Sequence, residues 1–409
     1  MKILQVSSTL NTSAIGRIAE EIGQMAIKRG YKSYVAYSHL GTNGSKSQAI
    51  RIGNRLDIYL HGIKTRFFDR HGLGSQLATR KLITQIGEIN PDVIGIHNVH
   101  GYYLNMRILF DYLKAANKPV VYTLHDCWSF TGHCSYFDFV DCDRWKTGCF
   151  DCPSKKAYPA SWFIDRSKQN FAEKRMIFNG VENLTLVTPS DWLAKLVSQS
   201  FLSGYPLKVI NNGVNTDVFR PVIQSGVRKK YGIGDKKMIL GVAYIWSHRK
   251  GLDEFIKLSR LLTSEYLIFL VGLKAEQISQ LPDNCRGIAR TENVEELAGL
   301  YSAADVFVNP TWQDNFPTTN LEALACGTPV ITYNTGGSPE AIDQDTGLVV
   351  DKGDVEGLKR AIEQIVNSDR EDYRKACRER ALNFYKKEDR NADYIDLYEK
   401  MLAGKTGRN

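Results

Sequence analysis

Residues 309–340 read NPTWQDNFPTTNLEALACGTPVITYNTGGSPE. An apolar strand ends at Asn309, a polar loop carries Asp314, Asn315 and Phe316, and a helix is expected to begin around Pro317, where proline suits the first helical position. That helix should end near Cys326, with Gly327 at the C-terminal cap. PVITYNTGG then begins a second strand. Strand, helix and strand in so short a span are a βαβ unit, which requires a parallel sheet. Working outward, short β-rich runs recur between segments of helical period. They are KILQVSS, KSYVAYS, PDVIGIHN, PVVYTLHD and LTLVTPS, then LKVINNG, MILGVAYI, YLIFLVG, ADVFVNP and PVITYNTGG.

The runs fall into two sets divided near residues 200–222, a stretch rich in Gly, Asn and Pro. An α/β chain of two Rossmann-like, doubly wound domains is expected. The first spans residues 1–205 and the second 206–384, facing each other across a cleft. A long charged helical segment, 385–409, is expected to pack back on the first. The 409 residues, 43% hydrophobic and 24% charged, suit two domains, each with its own core. No run of about 18 uncharged apolar residues is present, which argues against a membrane-spanning helix. The start, MKILQVSS, lacks the apolar region of a secretory signal, so a cytoplasmic chain is expected. Lys and Arg exceed Asp and Glu by 9 in residues 1–205 and fall short by 1 in the rest. An anionic partner for the first half is one reading, and a solvated basic face is the other.

In doubly wound sheets ligands bind beyond the carboxyl ends of the strands, so the residues after each run are the candidates for chemistry. The N–H groups of Thr318, Thr319 and Asn320 open a helix and form a site for an anion, reinforced by the helix dipole. Glu322, one turn in, would repel a bare phosphate but can accept hydrogen bonds from a ribose diol, and Asp314 would face the same space from the loop. The pair suits a nucleotide sugar. WSHRKG (246–251) follows another strand, and Arg249 and Lys250 there can clamp a diphosphate and neutralise the charge that develops as the nucleotide leaves. In the first half, IHNVH (96–100) and TLHDCW (123–128) put His97, His100, His125 and Asp126 at strand ends.

These motifs resemble glycosyltransferase family 4, a large retaining family with the two-domain GT-B fold. The resemblance rests on Asp314 and Glu322, separated by seven positions, followed by Ala325-Cys326-Gly327-Thr328-Pro329-Val330. TPSDWLAKL (188–196) and VINNGVNTDVFRP (209–221) extend it over nearly the whole chain. It implies donor-binding roles for Gly16, Arg249, Lys250, Asn315, Phe316, Pro317, Thr318, Thr319 and Glu322, and catalytic roles for His125, Asp126, Lys250 and Asp314. Departures from the family pattern are Asp at 314 where Glu is usual, Asn315-Phe316-Pro317-Thr318-Thr319 for a glycine-richer loop, a single Gly16 for a pair, and Ile245 where an Arg is usual. Arg249 is expected to substitute for that cation. Members transfer sugar without a divalent metal, so no catalytic cofactor is expected.

Cys134, Cys142, Cys149 and Cys152 form a tight group with Cys127 and His133 nearby. Structural zinc, free buried thiols and disulfides are the readings open to it. In RLDIYLHGIKTRFFDR (55–70), Leu56, Tyr59, Leu60, Ile63 and Phe67 recur at helical spacing, with Arg55, Lys64, Arg66 and Arg70 largely elsewhere around the helix. Such a helix can lie on an anionic bilayer or face a core. The expected function is retaining transfer from a UDP- or GDP-sugar to a growing, lipid-linked glycan of a bacterial surface polysaccharide, resembling colanic-acid-type enzymes, at the inner face of the cytoplasmic membrane. A nucleotide-sugar epimerase is the rival enzyme. Nucleic-acid binding is the distant alternative, since no recognised nucleic-acid motif is present and none is expected as partner.

Overall fold

The computed structural model describes residues 1–38, 42–223 and 226–406, so 407–409 of the expected C-terminal segment lie outside the described residues. The chain forms two compact units, Met1–Ile210 with Asn391–Asn409, and Asn211–Arg390.

The first unit is built on seven parallel strands: β1 (Lys2–Val6), β2 (Lys32–Tyr37), β3 (Gln48–Arg51), β4 (Val93–Ile96), β5 (Val120–Thr123), β6 (Leu184–Thr188) and β7 (Leu207–Val209). Their order is β3-β2-β1-β4-β5-β6-β7. β7 belongs to the run LKVINNG, which sequence assigned to the second set. It instead pairs with β6, Leu186 opposite Leu207, so the boundary falls after Ile210 rather than at 205. Successive side chains on a strand point to opposite faces. Leu4, Val6, Ile94 and Ile96 therefore join one core, while Ile3, Val93 and Val121 join another. The second face is closed by Tyr394, Ile395, Leu397 and Tyr398 of the C-terminal helix Lys387–Thr406.

The second unit has six parallel strands: β8 (Lys237–Val242), β9 (Tyr266–Val271), β10 (Cys285–Ile288), β11 (Val306–Asn309), β12 (Val330–Tyr333) and β13 (Gly347–Val350). Their order is β10-β9-β8-β11-β12-β13. Met238, Leu240 and Phe307 pack on one side, and Ile239, Val306 and Ile331 on the other. In both sheets the strand order reverses beside the first strand, between β1 and β4 and between β8 and β11. Those switch points are where such sheets hold ligands.

Candidate active site

At the β8–β11 switch point of the second unit, the loop after β8 and the loop after β11 grip each other. Trp312 N–H and the Thr311 hydroxyl both donate to the Arg249 carbonyl, at 2.8 and 3.0 Å. Arg249 Nη1 returns a bond of 2.6 Å to the Gln313 carbonyl. The neighbouring Lys250 ammonium is ion-paired with the Asp314 carboxylate. Burial by itself would raise the Asp314 carboxyl, but Lys250 and then Arg249 outweigh it and hold the group below its usual range. Two glycines make this approach possible. A Cβ on Gly251, at φ +79°, would stand 2.2 Å from the Pro310 carbonyl oxygen, and one on Gly336, at φ +58°, 1.9 Å from that of Asp314. No other residue fits at either position.

The helix after the loop runs Thr318–Ala325, with Pro317 as N-cap. Proline brings no side-chain cap to this N-terminus. Its attachment comes from within. Asn320 Nδ2 donates to the Ser338 carbonyl and hydroxyl at 3.2 and 3.1 Å, while Asn309 Nδ2 donates to Asn320 Oδ1 at 2.8 Å. Phe316 is buried, its ring centroid 5.8 Å from that of Tyr385, and its carbonyl accepts from Asn212 at 2.9 Å. Glu322 Oε2 accepts the Tyr301 hydroxyl at 2.9 Å. Ile245 is exposed. A cavity of about 660 Å³ in the same unit, lined by Arg228, Arg374 and Arg378, touches none of these residues.

In the first unit, Ser13 caps the helix Ala14–Lys28 by accepting the Gly16 N–H at 3.1 Å. A Cβ on Gly16 would meet Thr9 Oγ1 at 2.4 Å and the Thr9 carbonyl oxygen at 2.9 Å. Beyond β4 and β5 a polar chain runs through the sheet end. Gln5 Nε2 donates to the Tyr398 hydroxyl at 3.0 Å, leaving Oε1 to accept from His97 Nε2 at 2.8 Å. His97 is buried and its basicity falls well below the ordinary range, through burial and then His125, so its Nδ1 carries a lone pair. That lone pair takes the His125 Nε2–H at 3.2 Å. Burial lowers His125 to about 4. It is therefore a neutral imidazole protonated at Nε2, held in one tautomer from within. Asp126 does not supply that orientation, because its Oδ1 accepts the Trp128 N–H at 2.9 Å and its Oδ2 lies 3.0 Å from His100.

Two family descriptions match the chain: Glycosyltransferase Family 4 over residues 15–218, and Glycosyl transferases group 1 over 224–384. The chain belongs to the GT-B glycosyltransferases. It is 27% identical over 373 residues to an Escherichia coli (strain K12) protein named as a colanic acid biosynthesis glycosyl transferase, WcaC, with 87% of this chain and 88% of that one aligned. A D-inositol 3-phosphate glycosyltransferase of Arthrobacter sp. (strain FB24) is 33% identical over 190 residues, 43% of this chain and 45% of that one. Two solved structures share the fold. Sucrose-phosphate synthase from Thermosynechococcus elongatus has a TM-score of 0.72 at 17% identity, covering 98% of this chain and 99% of that one. Anabaena HepE in complex with UDP-glucose has a TM-score of 0.67 at 15% identity, covering 98% and 100%.

Within this glycosyltransferase the sequence-derived candidates separate into two groups. Arg249, Lys250, Asp314, Asn315, Phe316, Pro317, Thr318, Thr319 and Glu322 gather at the second switch point, and Gly16, His125 and Asp126 belong to the first unit. The sequence places His97 at its strand end but not as the partner of His125, and residue types missed the other supports: Gln5 and Tyr398 behind His97, Tyr301 behind Glu322, and Asn309 and Ser338 behind Asn320. Their only trace in the sequence is a polar residue where the strand or helix pattern calls for an apolar one.

The cysteines are free thiols. Cys149 Sγ accepts the Gly132 N–H at 3.0 Å. Contact with the Cys134 thiol lowers Cys152 to about 7. Among the described residues no three His, Cys, Asp or Glu side chains are arranged as a metal site, so no chemical step is routed through zinc at Cys134, Cys142, Cys149 and Cys152. The helix Arg55–Phe68 buries His61, Gly62 and Thr65 and turns Leu56, Tyr59, Leu60 and Phe67 outward. Its apolar stripe does not face a core. The exposed Trp162 and Phe163 rings extend that stripe, with centroids 5.5 and 5.4 Å from Phe67. Lys64 and Arg70 do not form a free basic side, since Lys64 donates to the Leu73 carbonyl at 2.9 Å and Arg70 lies 3.7 Å from Glu173.

Proposed function

We propose that this glycosyltransferase moves a sugar, with retention of configuration, from a nucleotide sugar to a growing lipid-linked glycan in bacterial surface polysaccharide biosynthesis. The observation that carries the reading is the meeting of Lys250 and Asp314 beside the helix that begins at Thr318. Its first N–H groups suit the donor's phosphates, and the Glu322 carboxylate, braced by Tyr301, suits the ribose diol. Asp314 keeps the Lys250 ammonium in place until a diphosphate competes for it. As the bond to the sugar breaks, Lys250 neutralises the leaving phosphate, the task a divalent metal performs elsewhere. The acceptor hydroxyl attacks from the face the nucleotide leaves, and the departing phosphate takes its proton. Neutral His125, in the first unit, suits a hydrogen-bonding role toward a sugar. The likeness to WcaC supports the polysaccharide setting, and the UDP-glucose complex of HepE supports a nucleotide-sugar donor. The outward stripe of the helix Arg55–Phe68, continued by Trp162 and Phe163, supports association with an anionic membrane surface that carries the acceptor.

Lys250→Ala and Glu322→Ala test the site. Each should abolish transfer, with the thermal unfolding midpoint within a few degrees of wild type. Retained transfer in either variant would overturn the assignment, and sugar epimerised without an acceptor would favour the rival enzyme. Transfer unaffected by EDTA is expected, and its loss would count against Lys250 in the metal's place.

A further inference from the structure

A second polar chain at the carboxyl end of the first sheet has no part in the transfer just described. Asp126, beyond β5, is buried, and its Oδ1 is fixed by the Trp128 N–H at 2.9 Å. Its Oδ2 stands 3.0 Å from Nε2 of buried His100, off the straight hydrogen-bond line. A carboxylate that close repels a ring lone pair, which favours the His100 tautomer with its proton on Nε2. Its Nδ1 then carries the lone pair and, at 3.1 Å, takes the hydrogen bond of the Tyr158 hydroxyl. With the phenol proton committed to His100, the oxygen has only acceptor lone pairs left to offer.

Tyr158 as a residue is 45% exposed. It meets His71 at 5.8 Å and 79°, and Tyr102 at 6.2 Å and 90°, between centroids. The Arg66 guanidinium lies 5.6 Å from the Tyr102 centroid. Aromatic walls for C–H faces, a fixed oxygen acceptor and a guanidinium donor match the surface of a sugar ring, which is apolar across its face and hydroxylated at its edge.

We propose that Tyr158, aligned by His100 and Asp126, accepts a hydrogen bond from a hydroxyl of the acceptor's terminal sugar and so orients that ring for attack. The proposal rests on the glycan-acceptor reading. Tyr158 keeps its proton throughout, since burial pushes the phenol well above its ordinary range. It orients the hydroxyl without deprotonating it. His100 and Asp126 are positioning residues acting through it.

The test compares wild type with Tyr158→Phe, which removes one oxygen and leaves the ring packing, and with His100→Gln. UDP-glucose and GDP-mannose serve as donors and octyl β-D-glucopyranoside as the probe acceptor. Acceptor-independent release of the nucleoside diphosphate and glycosyl transfer are measured separately. Tyr158→Phe should leave release within about twofold of wild type and raise the KM for the probe about tenfold or more, with His100→Gln moving the same ratio in the same direction. An unchanged probe KM in Tyr158→Phe would overturn the proposal, as would equal losses of release and transfer. Should the wild type release nucleotide from neither donor, that result counts against the donor reading alone. Calorimetric binding of the probe then decides, and equal binding by wild type and Tyr158→Phe overturns the proposal.

Discussion

His97 Nδ1 and His125 Nε2 stand 3.2 Å apart with their rings stacked at 24°. One histidine thereby sets the protonation of the other. Supports of this kind fix which ring nitrogen acts; at metal-bound histidines losing them costs about 10–100-fold in affinity or activity. His97→Asn should lower the rate of transfer in that range and leave the affinity for the nucleoside diphosphate nearly unchanged. Steady-state kinetics beside calorimetry with UDP and GDP checks it, and equal loss of both would place His97 in binding instead.

Gly336 faces the Asp314 carbonyl so closely that its replacement moves the loop that pairs with Lys250. Gly336→Ala should destabilise the protein by roughly 1–3 kcal/mol, from strain at a positive φ. It should weaken donor binding as well. Denaturant titration and donor calorimetry measure the two effects, and a variant with wild-type stability would show that the chain bends away at no cost.

Buried neutral histidines make stability depend on pH in a defined direction. Burial lowers His61 to about 3 and His125 to about 4, and His71 and His97 also fall well below 6.5. When the pH drops below about 6.5 the unfolded chain takes up protons that the folded chain refuses. The stabilisation is complete above that pH and is lost progressively toward pH 4, by about 1.4 kcal/mol per pH unit for each proton. The unfolding midpoint should therefore fall steadily between pH 7 and pH 5, and an unchanged midpoint would contradict the burial of these rings.

The low value at Cys152 predicts reactivity. Near pH 7 it should be the first cysteine alkylated by iodoacetamide in the native protein, ahead of Cys149, which burial raises to about 11. Mass spectrometry of the modified peptides checks the order. One zinc per purified chain, with alkylation of Cys134, Cys142, Cys149 and Cys152 suppressed together, would show instead that metal gathers the four thiols.

The outward aromatic face predicts vesicle binding. Wild type should sediment with phosphatidylglycerol-containing vesicles, and Trp162→Ala with Phe163→Ala should weaken that binding about tenfold or more, since each large ring contributes apolar burial. Lys64→Glu would report a broken contact to Leu73 as much as a lost charge, so the aromatic variants are the cleaner measurement. Binding unaffected by them would refute this face as the contact.

The sequence by itself determined the class of fold and the place to look. Short β-rich apolar runs alternating with segments of helical period point to parallel sheets, and NPTWQDNFPTTNLEALACGTPV carries the strand, loop and helix start in one contiguous piece, so local chemistry reveals it. β3, β10 and β13 left little trace because they are four-residue edge strands that each carry exposed or half-buried positions. β7 was misassigned because strand pairing is non-local. Tertiary structure alone decided what supports each group: Gln5 and Tyr398 are 393 residues apart, yet they set the tautomer of His125 through His97. It alone decided that Asp126 serves His100 of the neighbouring strand end, and that the apolar stripe of the helix Arg55–Phe68 points outward. Periodicity reports that a helix has two faces, but which of them is buried depends on what the rest of the chain packs against it.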